Sequence, residues 1–457
     1  MSEEANWDML VVGGTVLTME PDTEPIKNGA VAIADGRIAA VGPAEELLEM
    51  APSGDVLNAG NCLVLPGLVN THSHLAMTLL RGIADDLPLM QWLEGHIWPA
   101  EKEYMNRETV RLGTELAAAE QLLAGVTTTT DMYFFGDEVA AVLAEAGMRA
   151  VVAESLIGFP TPRCATTDEM LATQRELLED YKDHPLITPS VAAHAPYSVQ
   201  ATDLVAEAEL AEEYEVPMQI HLAETTWEVE KLLEEKGLSP VAYLANLGVL
   251  SERTVAAHCV HVSPEDIELL AEFEAGVSHN PVSNLKLASG ISPVPALLEG
   301  GVKLGLGTDG TASNNTLDLL RDMQLAALLH KGVAGDPTVL PARTMLELAT
   351  IGGAQILGLA DRIGTLTEGH DADIICVAID GPHTAPMYDP FSHMVFAARA
   401  ADVRHVVVQG AVVVRNRELQ TLDRERIEAQ AREFSENTDR AEGDSDDRHA
   451  TDDSRGH

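Results

Sequence analysis

The sequence has few basic side chains and a large excess of acidic ones. Its 457 residues include 29 Lys and Arg against 73 Asp and Glu, so the formal net charge is −44, and only eight of the basic residues are Lys. A nucleic-acid backbone or an anionic membrane would bring like charges together, so we expect neither as a partner. Dense carboxylates with few Lys favour adaptation to a salty cytoplasm; the simpler alternative is acidity that serves solubility alone.

Cysteines are also scarce, and long apolar runs are absent. The four cysteines are scattered without Cys-x-x-Cys spacing, which argues against a disulfide framework or a thiolate zinc site and fits a reducing compartment. No apolar run approaches the roughly 18 residues that span a bilayer. The start, Met-Ser-Glu-Glu-Ala, has neither the basic nor the apolar region of a signal peptide. We therefore expect a soluble, cytoplasmic protein.

Two β-rich segments at the chain ends bracket a long middle segment. Short strand-like runs joined by turn signals such as Asp35-Gly36 mark these end segments. The hydrophobic content of 46% indicates a packed protein rather than a disordered one. We predict a small β-sandwich domain built from residues 1–65 and 363–420, a separate domain at 66–362, and an acidic, disordered tail at 435–457.

The middle segment alternates eight short apolar runs with helical stretches rich in Glu, Ala and Leu. The runs are Leu63–Val69, Gly125–Thr130, Arg149–Ala153, Ile187–Ala193, Val216–Ile220, Thr254–Ala257, Ala275–Val277 and Val302–Leu306. Strands that alternate with helices form parallel sheets. Eight such units predict an α/β fold, a closed (β/α)8 TIM-like barrel whose chemistry lies where the strands end. An open, doubly wound sheet is the alternative, but no Gly-x-Gly-x-x-Gly follows the first strand to indicate a dinucleotide site.

Ionisable side chains follow four of these runs. Side chains at i and i+2 of a strand share a face, so His72 and His74 would both point into the barrel mouth. Three further runs end at His221, His258 and Asp309. Each residue alone has an equally good structural explanation, but their coincidence at one rim predicts a site. Imidazoles together with a carboxylate suit zinc or another first-row divalent ion.

The same strand ends predict metal-assisted hydrolysis. Zinc lowers the pKa of its bound water to roughly 7, which makes hydroxide available at neutral pH. Asp309 can both contact the metal and take a proton from the water. Glu224 can carry a proton to the substrate, and His258 can donate a hydrogen bond to the water or to the developing oxyanion.

Five short segments at the strand ends carry a recognisable pattern. They are Pro66–His74, His221–Glu224, Ala257–His261, Ser278–Pro281 and Gly307–Gly310. They resemble the amidohydrolase superfamily, specifically its nucleobase and triazine branch, and most closely the 5-methylthioadenosine/S-adenosylhomocysteine deaminases. The resemblance extends from about Leu10 to about Gln409.

This resemblance implies one zinc ion per chain, held by the three histidines His72, His74 and His221 and by Asp309. Binuclear relatives carry a bridging carboxylated Lys, and the candidate strand Arg149–Ala153 contains no Lys. One metal is therefore expected. Zinc is the first choice, and Fe, Mn and Ni stay open.

The resemblance also implies a nucleoside pocket in which Glu224 and Asp309 face the substrate. By that likeness Trp92 lines the pocket, Glu101 binds the ribose hydroxyls, and His194 contacts the purine ring. Two further pocket positions match less closely. Ser313 would otherwise be a helix cap, and Arg163 is a candidate for the homocysteine carboxylate whose simpler explanation is a solvated loop residue.

We therefore predict a zinc-dependent aminohydrolase that converts 5′-methylthioadenosine, S-adenosylhomocysteine or both to the inosine analogue and ammonia. The alternatives are deamination of 5′-deoxyadenosine or adenosine, deamination of guanine or cytosine, and triazine hydrolysis. A non-catalytic scaffold that kept the barrel is a further alternative, but scaffolds typically lose ligands that this sequence keeps. The family likeness also predicts a homo-oligomer, a dimer or a tetramer.

Overall fold

Eighteen strands in two sheets organise the residues that the structure describes. The structure, a computed structural model, describes residues 7–50 and 55–452, with the side chains of 439–452 left out. The strands are β1 (Met9–Val16), β2 (Ile26–Ala34), β3 (Arg37–Pro43), β4 (Asp55–Asn58), β5 (Cys62–Pro66), β6 (Leu68–Asn70), β7 (Val126–Tyr133), β8 (Arg149–Leu156), β9 (Ile187–Pro189), β10 (Val191–Ala193), β11 (Met218–Leu222), β12 (Thr254–His258), β13 (Gly276–His279), β14 (Lys303–Leu306), β15 (Ile374–Ala378), β16 (Val403–Val408), β17 (Ala411–Arg415) and β18 (Glu418–Leu419).

Helices connect the strands and cover the outside of the larger sheet. They are α1 (Ala44–Met50), α2 (Leu89–Trp92), α3 (Trp98–Tyr104), α4 (Arg107–Leu123), α5 (Gly136–Ala146), α6 (Thr167–Tyr181), α7 (Ala201–Tyr214), α8 (Thr226–Lys236), α9 (Pro240–Leu247), α10 (Pro264–Glu272), α11 (Pro281–Lys286), α12 (Val294–Glu299), α13 (Thr311–Asn314), α14 (Leu319–Ala334), α15 (Ala342–Glu347), α16 (Gly353–Ile356), α17 (Pro390–Phe396) and α18 (Arg424–Asp452). Within the described residues, no helix is both long enough and apolar enough to pass through a membrane.

The strands β6 to β14 form a closed parallel barrel. Each strand pairs with the next along the chain, β9 and β10 together make the fourth position, and β14 pairs with β6 to close the ring. Helices lie between consecutive strands from α4 onward. This confirms the (β/α)8 prediction and excludes the open sheet, since an open sheet would leave β6 and β14 unpaired with each other. Seven of the eight predicted runs coincide with barrel strands, and the first run reaches the barrel only in its last part, at β6.

The remaining nine strands form a second, mixed sheet from both chain ends. Its order is β18-β17-β16-β15-β5-β1-β2-β3, with β4 paired to β1, so strands from the two ends meet where β5 pairs with β15. This confirms a separate sheet built from both chain ends, although its strands are hydrogen-bonded into one continuous sheet rather than a sandwich. The predicted first run is divided between the two sheets at Gly67. A Cβ there would lie 1.9 Å from Thr127 Oγ1, so only glycine lets the chain cross so close to β7.

A buried ion cluster holds the bottom of the barrel to this second sheet. Arg149, at the start of β8, is 1% exposed. Its Nε donates to Asp373 Oδ2 at 2.8 Å, and its Nη2 lies 3.0 Å from Asp371 Oδ2. The two carboxylates compensate a charge that would be costly to bury alone. Arg149, the charged residue of the predicted run Arg149–Ala153, therefore has a structural role.

The C-terminal helix α18 extends from Arg424 to Asp452, and residues 453–457 lie outside the described part of the chain. In its first turns, Glu428 Oε1 accepts from Arg424 Nε at 2.6 Å, and its Oε2 accepts from Arg432 at 2.8 Å. Such pairs four residues apart stabilise helices that have few apolar residues. Both pairs lie before residue 435, so the disordered tail expected over 435–457 stays a prediction.

Candidate active site

The ionisable residues predicted from the strand ends meet at the carboxyl-terminal mouth of the barrel. His72 and His74 follow β6, His221 lies in β11, His258 ends β12, and Asp309 follows β14. The ring centroid of His72 lies 4.9 Å from those of His74 and His221 and 5.4 Å from that of His258. The closed barrel brings together residues that are up to 237 positions apart in the chain (309 − 72 = 237).

Backbone carbonyls fix two of these imidazoles in the tautomer that a metal needs. His74 Nδ1 lies 2.8 Å from the Met132 carbonyl oxygen, and His221 Nδ1 lies 2.7 Å from the His194 carbonyl oxygen. A carbonyl oxygen only accepts, so Nδ1 carries the hydrogen in both rings, and Nε2 of each ring presents a lone pair. The two Nε2 atoms are 3.3 Å apart. Lone pairs at this distance repel unless a positive charge lies between them.

Asp309 supplies the negative charge of the cluster. Its Oδ1 lies 3.3 Å from His72 Nε2 and 3.2 Å from His74 Nε2, while Ser283 and Ser313 donate to Oδ2 at 2.6 and 2.8 Å. Burial alone would raise the pKa of Asp309, but the adjacent imidazoles of His72 and His74 outweigh burial and hold its pKa well below the ordinary value. The carboxylate therefore stays ionised.

The donor set fits a divalent cation. His72 Nε2 is buried and has no hydrogen-bond partner. Four ligands about 2.0–2.1 Å from one zinc ion lie about 3.3–3.4 Å apart in a tetrahedron, which matches the spacings of 3.2 and 3.3 Å in this cluster. Two overlapping triplets have all their ligand atoms within 4.8 Å of one another. They are His72, His74 and Asp309, and His72, His221 and His258.

Glu224 lies beside this cluster with its carboxyl group buried. Its Oε2 is 4.0 Å from His258 Nε2, and its Oε1 accepts from Ser289 Oγ at 3.1 Å. Burial raises the pKa of Glu224 above its ordinary value. A carboxyl group with a raised pKa keeps its proton to higher pH, as a general acid must.

A second carboxylate positions Glu224 through the backbone. Glu228 Oε1 accepts from the N–H of Ala223 at 3.0 Å, and its Oε2 accepts from the N–H of Glu224 at 2.9 Å. Ala223 has a left-handed backbone with φ of 52°, so this turn needs such support. The sequence analysis missed Glu228. The spacing Thr225-x-x-Glu228 was a visible signal, but it predicts a helix cap rather than a clamp on the preceding turn.

A cavity of about 770 Å³, counted with its open mouth, covers the cluster. Five residues were predicted to bind substrate without also serving as catalytic residues or metal ligands. Four of them line the cavity: Trp92, Glu101, His194 and Ser313. Its remaining walls are mainly apolar and aromatic, with few convergent polar groups, which is the usual character of a small-molecule site.

All four of these residues have hydrogen-bond partners, and Trp92 Nε1 donates to the Ala84 carbonyl oxygen at 3.2 Å. Burial raises the pKa of Glu101 to about 7, although the Tyr133 hydroxyl, which donates to Oε1 at 2.8 Å, opposes this rise. His194 Nδ1 contacts Ser198 Oγ at 2.7 Å, and burial lowers the pKa of His194 to about 3, so its ring is neutral at physiological pH. The Ser313 hydroxyl donates a hydrogen bond to Asp309 Oδ2 at 2.8 Å and so orients that carboxylate.

The structure does not bring Arg163 to the cavity. Its Nη1 lies 3.2 Å from Glu154 Oε2 and also binds Asp137, while the guanidinium lies 5.7 Å from the centroid of the Phe135 ring. Two carboxylates thus hold this side chain outside the cavity lining. Sequence reasoning could not detect this, because the partners are 26 and 9 residues away.

Comparison with known proteins agrees with this geometry. The model of the amidohydrolase family matches residues 63–413, which include the barrel and most of the second sheet's C-terminal strands. The chain belongs to the amidohydrolase family. A short match to the imidazolonepropionase-like composite domain of bacteria covers residues 29–53, within the second domain.

Relatives of this amidohydrolase are similar over nearly their whole length. The chain is 49% identical to the 5-methylthioadenosine/S-adenosylhomocysteine deaminase of Syntrophobacter fumaroxidans, over 91% of this chain and 95% of that protein. A zinc-bound adenosine deaminase from Xanthomonas campestris has a TM-score of 0.93 at 40% identity, covering 94% and 98% of the two chains. The zinc complex of the atrazine chlorohydrolase from Arthrobacter aurescens has a TM-score of 0.86 at 26% identity, covering 93% and 99%.

Proposed function

We propose that this amidohydrolase is a zinc-dependent aminohydrolase that deaminates 5′-methylthioadenosine, S-adenosylhomocysteine or a similar adenosine-type nucleoside, releasing ammonia and the inosine analogue. The observation that carries the proposal is the buried Glu224 beside the His/Asp cluster, in one cavity that also contains Glu101. The similarity to proteins named as adenosine deaminase and as 5-methylthioadenosine/S-adenosylhomocysteine deaminase supports it.

We infer that His72, His74, His221 and Asp309 would hold the metal. A bound divalent ion supplies Lewis-acid activation of the attacking water. The water oxygen forms a bond to C6 of the purine, and the bond from C6 to the amino nitrogen breaks. One water proton reaches the ring nitrogen beside C6 through Glu224, and the other reaches the leaving amine through Asp309. The atoms balance as nucleoside plus water giving the keto product plus ammonia.

Two other side chains would act on the reacting purine. His258 lies across from Glu224, and because its Nδ1 faces the acceptor Asn284 Oδ1 at 2.7 Å, its Nε2 would carry a lone pair and accept a hydrogen bond from the attacking water. The neutral ring of His194 would contact the purine. These roles follow from the family likeness and are supported by the position of both rings in the cavity lining.

Glu101 favours a ribose-bearing substrate over a free base. Its pKa is raised to about 7, and above that pH its carboxylate can accept hydrogen bonds from both hydroxyls of a vicinal diol. We expect ammonia release from adenosine and methylthioadenosine with kcat/KM at least about tenfold above that for adenine. Glu101→Gln should raise KM for the two nucleosides by about tenfold or more, because a hydrogen bond to a charged group is lost, while adenine is unaffected.

An ammonia-release assay that includes guanine, cytosine and atrazine tests these expectations against the alternatives. A preference for adenine, or for any of those three compounds, would overturn the nucleoside proposal. Well-folded protein that carries almost no zinc would favour a non-catalytic scaffold. The matched control for Glu101→Gln is Glu103→Gln, since Glu103 is an exposed residue of the same helix α3.

The acidic composition supports adaptation to salt as a second proposal. The formal charge of −44 makes the folded chain repel itself in dilute buffer, and salt screens this repulsion. We expect the thermal midpoint and the activity to rise together between about 0.1 and 2 M KCl. Full activity with an unchanged midpoint in dilute buffer would contradict the proposal. The homo-oligomeric state and the cytoplasmic location stay predictions.

A further inference from the structure

Apart from its histidines, the cavity lining offers no group that could carry a positive charge. Its acidic lining residues are Glu101, Glu224 and Asp309, and among the described residues its lining contains no Lys or Arg. A bound divalent metal would compensate charge at the floor, next to Asp309, but not along the walls. An anionic group on a substrate would therefore enter a cavity without a cation to receive it.

Part of the cavity wall is apolar and aromatic. This part is formed by Leu93, Ile97, Trp98, Phe134, Ile157 and Phe159. Phe159 packs edge-on against Trp98 with their ring centroids 4.8 Å apart. An uncharged alkylthio group gains from burial against such a wall, whereas a carboxylate would lose its hydration without gaining a partner.

The basic side chains nearest in sequence to the lining residues are held elsewhere or exposed. Lys286 Nζ lies 2.5 Å from Asp85 Oδ1 and also binds Asn315, and it lines a neighbouring groove rather than the cavity. Arg163 is bound by Glu154 and Asp137. Lys102 is exposed in another adjoining groove, where an ion pair in water would gain at most about fivefold in affinity.

We propose that this cavity selects adenosine-type nucleosides whose 5′ substituent is uncharged, and that it discriminates against those carrying a carboxylate or phosphate there, S-adenosylhomocysteine included. The inference rests on the proposed deaminase function and narrows its substrate class. The similar deaminases are named for both methylthioadenosine and S-adenosylhomocysteine. The inference assigns only the first of these two substrates to this chain.

A matched pair of synthetic nucleosides tests the charge alone. 5′-(4-Methylpentylthio)- and 5′-(3-carboxypropylthio)-5′-deoxyadenosine have the same length and branching, but only the second carries a carboxylate. We expect kcat/KM for the uncharged compound to exceed that for the carboxylate by tenfold or more at one fixed ionic strength. Methylthioadenosine should exceed S-adenosylhomocysteine by a similar factor. A ratio under tenfold for the matched pair overturns the inference.

The panel separates failure of this inference from failure of the proposed function. Turnover of both matched compounds at similar kcat/KM overturns only the inference, whereas no ammonia from any nucleoside overturns both. Lys286→Met and Lys102→Met extend the test. We expect neither variant to change the ratio for the matched pair by more than about threefold. A selective loss of carboxylate turnover in either variant would show that this Lys is the missing cation and would overturn the inference.

Discussion

Replacing Glu224 with Gln is expected to lower kcat by about 10²–10⁴-fold while leaving the metal content unchanged, since that is the usual contribution of a positioned proton donor. The amide keeps the shape of the side chain and can keep its contact with Ser289, but it cannot pass a proton to the ring nitrogen. The native carboxyl group is buried and its pKa is raised, which suits it to donating a proton to the ring nitrogen. Steady-state ammonia release and metal analysis of the same sample measure the two effects.

Glu230→Gln is the matched control, because Glu230 is an exposed acid of α8 only six residues away. It should behave as the unchanged protein in both measurements. A Glu224→Gln variant with kcat near that of the unchanged protein would falsify the proton-transfer role. Loss of metal from Glu224→Gln would instead make Glu224 part of the metal site, contrary to its position 4.0 Å from His258 Nε2.

The barrel could be predicted because its signal is repeated along the chain. Eight apolar runs, each followed by a helical stretch, leave little choice of architecture once parallel pairing and short connections are assumed. The division of the first run at Gly67 could not be predicted, because it depends on the contact of that residue with Thr127 across the sheet.

The residues at the strand ends were predictable because barrel topology alone brings them together. His72, His221 and Asp309 needed no knowledge of side-chain packing to be placed at one mouth. The supporting residues were not predictable in this way. Glu228 clamps the backbone of Glu224, and Ser283 donates to Asp309, because of local turns whose geometry the sequence does not specify. Arg163 shows the same limit, since its two carboxylate partners become neighbours only in the folded chain.

His74→Asn should weaken zinc binding by more than about 100-fold, while His258→Asn should leave the affinity near that of the unchanged protein and lower kcat. The expectation follows from the two overlapping triplets of candidate metal ligands, which share His72. In one triplet the other two ligands are His74 and Asp309, and in the other they are His221 and His258. The Nδ1 of His74 is fixed by a carbonyl, so its Nε2 is committed to the cluster. Changes in residues that merely support ligands already cost 10–100-fold in affinity, and loss of a ligand should cost more.

The decisive measurement is zinc content after dialysis against a chelator, read beside the thermal midpoint with and without added zinc. A ligand that binds only the folded state raises the midpoint, so the unchanged protein and His258→Asn should both respond to zinc, and His74→Asn should not. The reverse pattern, in which His258→Asn loses zinc and His74→Asn keeps it, would move the metal to His72, His221 and His258. Asp309 would then be left as a free carboxylate 3.2 Å from His74, available as a base but not as a ligand.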